Sequence, residues 1–350
     1  MARMLRRPSL WILLACAALI AAGWALTLER IGFERSEVVD DAVRQNDNLA
    51  VAFEEQTLRT IRSADQALIF LRHQYEQHRE IANLRELFDA GLLDDALIPN
   101  YLVVDASGKV LGQDGRPGAM DVASTDFFVF LREQPADRLF ISRPFKGRVT
   151  GKTVISLSRR MTARDGSFAG VVSVGLDPRY FLHAYKSLDL GERGMIQLVG
   201  LDGVVRARRI GHEESLGQDM NDSRLLSLAA REPSGHYVSA GARTDGLARY
   251  HSYRLVRGYP LVISVGTAEA DVFADFEAHR RTYLLGAIVA TVLVALFALG
   301  LLGTQRRRAK VEGEKRAIES RYRATFDHAG VGIAHTSLDG RFISVNPRFC

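Results

Sequence analysis

Cysteine is nearly missing from this 350-residue chain: Cys16 lies inside an apolar run and Cys350 is the last residue. The long segment between them has no disulfide to draw on and must be held by a core. Proline is absent from Glu29 to Ile98, so nothing there forces a break in a helix. Charge is absent from two runs, Leu10–Leu28 and Tyr283–Leu302. Catalytic signatures are absent too. There is no Gly-rich phosphate loop, no Gly-x-Ser-x-Gly and no His-Glu-x-x-His. His73, His78, His183 and His251 show no metal-ligand spacing. No catalytic residue, metal or cofactor is therefore expected.

Each uncharged run is long enough to cross a bilayer as one helix, since roughly 20 residues at 1.5 Å rise span the hydrocarbon core. Trp11, Trp24 and Tyr283 sit near the run ends, where aromatic rings favour the interface. Arg3, Arg6 and Arg7 precede the first run, and Arg306, Arg307, Arg308 and Lys310 follow the second. Positive flanks stay cytoplasmic, so both ends are expected inside and the large middle segment outside. Arg280 and Arg281 argue weakly against this. A cleaved signal peptide and a lipoprotein signal at Leu13-Leu14-Ala15-Cys16 are alternatives for the first run. Its length and the apolar stretch Ala17–Leu28 favour a retained helix.

The net charge of +5 does not point to nucleic acid. The N-terminal tail carries +3 and residues 303–350 carry +5, which leaves the rest at −3. The basicity is a topology signal.

After the first run, Leu49, Phe53, Thr57, Ile61, Ala64, Leu68, Leu71 and Tyr75 recur every three or four residues, a helical stripe. The stripe packs on its own domain, and pairing with a second protomer is compatible with that. Then Tyr101–Leu111, with a turn at Asp105-Ala-Ser-Gly108, reads as a strand, a turn and a strand. The pattern recurs around Asp202-Gly203 and again around Asp339-Gly340. Such turns between β-rich runs are hairpin signals. Three at domain-sized spacing point to three related modules. Strands are further expected at 152–161 and 168–176, and at 236–240, 248–256 and 261–267, giving mostly antiparallel sheets with helices on one face.

A ligand pocket is expected in the first module. Asp126, Phe127 and Phe128 put a carboxylate beside two rings, Arg148, Lys152 and Arg159 lie on or near the next strand segment, and Asp177 ends a strand. An apolar wall with a few convergent polar groups is what such a site needs. The competing reading makes Phe127 and Phe128 plain core, and leaves Arg159 and Arg160 solvated or paired with acids.

These segments resemble the double Cache fold, a pair of PAS-like modules that serves as an extracellular sensor, over roughly residues 30–276. The matching stretches are Val104-Asp105-Ala-Ser-Gly108, Thr125-Asp126-Phe127-Phe128, Ile141-Ser-Arg-Pro-Phe, Arg148-Val-Thr-Gly-Lys152, Leu157-Ser158-Arg159-Arg160, Asp165-Gly-Ser-Phe-Ala-Gly-Val and Leu188-Asp-Leu-Gly191. They look like the subgroup found before diguanylate cyclases and some histidine kinases. Phe326-Asp-His-Ala-Gly-Val-Gly-Ile and Leu338-Asp-Gly-Arg-Phe-Ile-Ser-Val-Asn346-Pro look like the start of a PAS domain. Amino-acid-sensing Cache domains carry Arg-x-Trp-Tyr where this chain has Thr125-Asp126-Phe127-Phe128, so the carboxylate-holding arginine is gone. Asp177 looks like the family's amine-binding aspartate. A cationic or amine ligand and a carboxylate held by Arg148 or Arg159 both remain open.

The expected fold is thus α+β: a long N-terminal helix and two PAS-like antiparallel-sheet modules between two transmembrane helices, then a truncated PAS unit. The expected boundaries are a cytoplasmic tail at 1–9, spans at 10–28 and 283–302, and a periplasmic double Cache sensor at 29–281. Within the sensor, the long helix occupies 33–78, a distal module about 79–190 and a proximal module about 191–275. A helical linker at 303–323 and a PAS start at 324–350 follow. About thirty residues cannot close a PAS sheet, so the chain is expected to be the front of a longer protein. In the linker Val311, Ile318 and Thr325 stand seven apart, as in a short parallel coiled coil. The expected protein is a homodimeric two-pass sensor of the bacterial inner membrane. Its partners are lipid and a periplasmic small molecule, not nucleic acid. Its output is expected to be a diguanylate cyclase or phosphodiesterase, with a histidine kinase, or less so a chemoreceptor, as the alternative.

Overall fold

The computed structural model describes residues 6–78, 97–98, 100–113, 122–134, 136–147, 151–183, 190–241 and 244–349. By internal packing the chain forms two units, Arg35–Phe276, and Met1–Glu34 with Glu277–Cys350.

The first helix, α1, runs unbroken over Arg6–His78. No proline stops it, so the apolar run and the amphipathic stripe belong to one element. The stripe buries as its spacing dictates. Phe53, Ile61, Ala64, Leu68 and Leu71 are almost fully buried, and Leu49 and Tyr75 pack at the margin.

Two six-stranded antiparallel sheets share this stripe. The first is built from β1 (Asn100–Asp105), β2 (Val110–Gln113), β3 (Phe140–Ile141), β4 (Phe145–Lys146), β5 (Thr153–Thr162) and β6 (Phe168–Leu176). Its order is β2-β1-β6-β5-β3, with β4 also on β5. Helix α2 (Asp126–Glu133) packs on β5 and β6, and a single turn, α3 (Tyr180–His183), follows the sheet.

The second sheet has β7 (Met195–Gly200), β8 (Val205–Ile210), β9 (Glu213–Ser215), β10 (Ser234–Ser239), β11 (Arg249–Leu255) and β12 (Leu261–Ala268), in the order β10-β11-β12-β7-β8-β9. Helix α4 (Arg224–Ala229) covers its other face. The expected strands are all present. β3, β4 and β9 are two or three residues long, too short for periodicity to mark them.

Strand alternation puts one set of side chains toward α1. Ile155, Leu157, Met161, Val172, Val174 and Leu176 do so in the first sheet, and Ile196, Leu198, Ala207, Ile263 and Val265 in the second. Polar ties fix the helix to both sheets. Arg159 on β5 holds Asp65, at 2.6 Å from Nε to Oδ1 and 2.9 Å from Nη2 to Oδ2. Glu54, almost fully buried, accepts from Arg254 at 2.9 Å and Arg257 at 3.0 Å. Asn46 donates to the Tyr250 carbonyl and accepts from Thr267 Oγ1. Two of these ties give the acids of the stripe, Asp65 and Glu54, a counter-charge, and the Asn46 tie is neutral.

In the other unit, the first apolar run faces helix α6 (Ala274–Asp327), which follows the one-turn α5 (Glu269–Val272). Trp24 Nε1 donates to Thr291 Oγ1 at 3.0 Å, and Glu34 takes His279 Nδ1 at 2.8 Å. Much of both runs is exposed, including Leu19 at 64%, Leu26 at 67%, Leu293 at 60% and Phe297 at 65%. Side chains of this kind do not stay in water in such numbers. Past α6, a hairpin pairs β13 (Ala334–Thr336) with β14 (Phe342–Val345). Asn346 bonds the carbonyls of Phe326 and Val331.

Candidate functional site

Helix α2 begins at Asp126 and places the three expected residues differently. Phe127 and Phe128 turn inward and join Val104, Val122, Leu131 and Val171 in a core cluster. Phe128 meets Phe168 edge to face at 5.4 Å. Asp126 is exposed. Arg160 donates to the carbonyls of Leu131 and Arg132, closing the end of α2.

Asp126 and Arg159 line one open cleft of about 1310 Å³. Its other walls include Arg62 from α1, Asp137 and Arg138, and Asp202, Arg206 and Tyr259 from the second module. Arg159 reaches the cleft already engaged, since Asp137 also accepts from it at 2.6 Å. These carboxylates raise its affinity for its proton, against the cost of burial. Arg206 and Arg143 are similarly held by Asp202. Among the described residues Arg62 and Asp126 make no side-chain hydrogen bond or ion pair, so the cleft has a free group of each sign.

Asp177 follows β6 and is not among the cleft's walls. Burial opposes its ionisation. The Arg179 guanidinium, at 2.8 Å from Nη2 to Oδ2, and the Arg179 backbone N–H nevertheless hold its carboxyl below the usual range. Lys152 is exposed in the turn before β5. Arg148 lies outside the described residues, as do Leu188 and Asp189 of the motif ending at Gly191. The expected site residues therefore occupy three places: core, cleft and strand ends.

Three serines not singled out from the sequence form a mutually hydrogen-bonded, buried group in this module. Ser156, Ser158 and Ser173 point to the face that α2 covers and bond one another at 2.6–2.9 Å. All three are buried. A signal was available: Ser156, Ser158 and Arg160 fall at every second position of the strand, and period-2 positions share one face. On the same face the Asn100 carboxamide sits where a Cβ on Gly175 would fall, 2.0 Å from Oδ1. Hydroxyls and a carboxamide flanking a phenylalanine cluster match the make-up of small-molecule pockets.

Comparison with known proteins fits this architecture. Residues 178–266 match the family described as dCache_1_like: Histidine kinase sensor domain. A crystal structure of an extracellular domain assigned to a histidine kinase, rpHK1S-Z16, is 28% identical, with a TM-score of 0.60, covering 69% of this chain and 98% of that one. An extracellular ligand-binding receptor from Desulfohalobium retbaense DSM5692 shares the fold, at 15% identity and a TM-score of 0.50, over 64% of this chain and 40% of the receptor. No curated relative matches the sequence. With two antiparallel sheets stacked along one long helix, and likeness of this extent to a sensor domain, the chain carries a dCache-type sensor domain.

Proposed function

We propose that this chain is the sensory front of a two-pass membrane signalling protein. Residues 29–281 lie outside the inner membrane, the spans are Leu10–Leu28 and Tyr283–Leu302, and both ends are cytoplasmic. The reading is carried by one observation: two exposed apolar helical runs flank a dCache-type sensor domain. The arginines before the first run and after the second support the orientation. Reporter fusions at Gly151 and Gly313 test it and are expected to report opposite compartments. Matching compartments would overturn it.

The proposed ligand is a small organic molecule bearing an amine, held in the first module. Arg159 is consumed by Asp65 and Asp137 and is not free to hold a carboxylate. Asp126 is a free acid. Asp126, Asp177 and the serine face are the groups proposed for the ligand, with Phe127 and Phe128 as apolar backing and Lys152 at the approach, and Arg148 is kept as a candidate on its sequence motif alone. A ligand at a hundredfold excess over Kd stabilises the domain by about 2.7 kcal/mol. Asp126→Ala and Asp177→Ala are expected to remove that gain. Full response in both variants would place the site elsewhere.

Ligand binding shifts output only through different affinities for two arrangements of the protein. The relay is proposed to run along α6 into the linker at 303–323, where Val311 and Ile318 are 51% and 68% exposed and pair between protomers of a dimer. The hairpin at 334–345 is read as the start of a PAS unit. The proposed output is a cyclic-dinucleotide enzyme. A histidine kinase is the second reading, favoured by the family description and by the 28% identical relative. Ligand-dependent change in cellular cyclic dinucleotide, against ligand-dependent histidine phosphorylation, separates the two.

A further inference from the structure

The second sheet carries a polar group of its own, on the face away from α1. Register places Tyr237, His251, Gly266 and Met195 in one row across it, and Gly235, Tyr253, Ser264, Gln197 and Arg208 in the next. Gly266 makes room for the imidazole, because a Cβ there would fall 2.4 Å from His251 Nδ1. The Tyr237 ring stacks on His251 at 4.8 Å. Gln197, Arg208, His251 and Ser264 are each at most 3% exposed.

This group is not balanced. Arg249 at its edge is neutralised by Asp245. Arg208 has no carboxylate among the described residues. Its Nε donates to Gln197 Oε1 at 3.0 Å, and its Nη2 is buried with no partner. Burial pushes its pKa down, opposed only by the nearby Tyr237 phenol. His251 Nδ1 pairs with Ser264 Oγ at 3.1 Å, and its Nε2 is likewise buried without a partner. Burial and the two arginines push the imidazole down to about 3, so it is neutral at physiological pH. In the tautomer where the serine hydroxyl donates to Nδ1, the ring carries its proton on Nε2 and is a donor there. A buried cation and two donors without acceptors are rare in folded proteins and ask for a counter-ion.

We propose that this face of the second module binds a small monocarboxylate, with its oxygens on the Arg208 guanidinium edge and His251 Nε2. The charge count selects a monoanion, since among the described residues buried on this face Arg208 is the one cation without a carboxylate and His251 is neutral. A planar carboxylate matches the guanidinium edge left free by Gln197. Val199, Val205, Val262 and Tyr253 of the adjoining core cluster suit a short alkyl tail. This site is separate from the first-module site and does not depend on it.

The test uses the whole chain in detergent micelles, melted at constant ionic strength with chloride exchanged for acetate, propionate, nitrate or phosphate. Acetate or propionate is expected to raise the midpoint by several degrees, with phosphate and nitrate indistinguishable from chloride. Arg208→Met is expected to fold and to lose the response, since an apolar residue of similar volume removes the uncompensated charge. His251→Phe keeps the ring packing and is expected to weaken apparent affinity at least about tenfold, the worth of one hydrogen bond to a charged group. It serves alone if the arginine variant does not fold. The proposal is overturned if no carboxylate shifts the wild-type midpoint, if phosphate or nitrate acts as strongly, if the response survives in Arg208→Met, or if His251→Phe keeps the wild-type apparent affinity. A response lost in Asp177→Ala but kept in His251→Phe would move the anion to the first module and also overturn it.

Discussion

Replacing Arg159 by alanine separates the two roles this residue could have. Its bidentate pair with Asp65 is 13% and 15% exposed at the two side chains. Breaking such a pair strands a carboxylate in a largely dry site, which costs about 3–5 kcal/mol when burial is complete. Residual exposure puts this case at the lower end, near 3 kcal/mol. The third contact, to Asp137, adds little, because Asp137 is 53% exposed and stays paired with Arg72 at 2.9 Å. For a unit of this size each kcal/mol moves the midpoint by roughly 2–4 °C, so Arg159→Ala is expected to melt about 6–12 °C lower. Asp65→Ala should cost nearly as much. The double variant should cost much less than the sum, with a coupling of about 2 kcal/mol. Calorimetric melting of the four proteins measures this. A coupling below about 0.5 kcal/mol refutes the structural role. An unchanged midpoint with lost ligand response would return Arg159 to the ligand site.

Glu54→Gln is expected to cost about 2 kcal/mol at neutral pH, because two arginines lose their charge partner. Burial opposes ionisation of Glu54, but Arg254 and Arg257 outweigh it and hold its folded pKa below the ordinary 4.5. Its contribution is thus present above the unfolded pKa and lost as pH falls through the folded one, so the gap between wild type and variant must close in acid. A gap that stays constant from neutral pH to pH 3 contradicts the ion-pair account. Gly266→Ala is expected to destabilise by about 1–3 kcal/mol through collision with His251, and by clearly less in a His251→Ala background. Melting midpoints with and without reductant should coincide, since Cys16 and Cys350 lie outside the sensor domain.

Most of the fold was legible because the relevant signals are local. The eight stripe positions from Leu49 to Tyr75 pack inward because their spacing is helical and no proline intervenes. The hairpins at Gly108, Gly203 and Gly340 form with φ of +92°, +81° and +82°, where glycine is needed. In the first of them Asp105 Oδ1 accepts from the Ser107 and Lys109 backbone, as an aspartate turn should. The long-range ties were not legible. Nothing around Asp65 or Glu54 distinguishes them from the other acids of a solvated helix face. Their burial follows from arginines 94 and 200 residues away.

The site was less legible for the same reason. Asp126, Phe127 and Phe128 are neighbours in sequence, yet one helical turn sends them to solvent and core. The buried serines of the first sheet and the His251–Arg208 face of the second become visible only when antiparallel register sets separate strands side by side. Register also ties α1 to both sheets. Asn46 and Glu54 are bonded to the second sheet and Asp65 to the first, along one helix. A slide of that helix past either sheet must break charged or buried hydrogen bonds together rather than one by one. Ties of this kind resist gradual sliding, so they fix the register of the helix on both sheets at once.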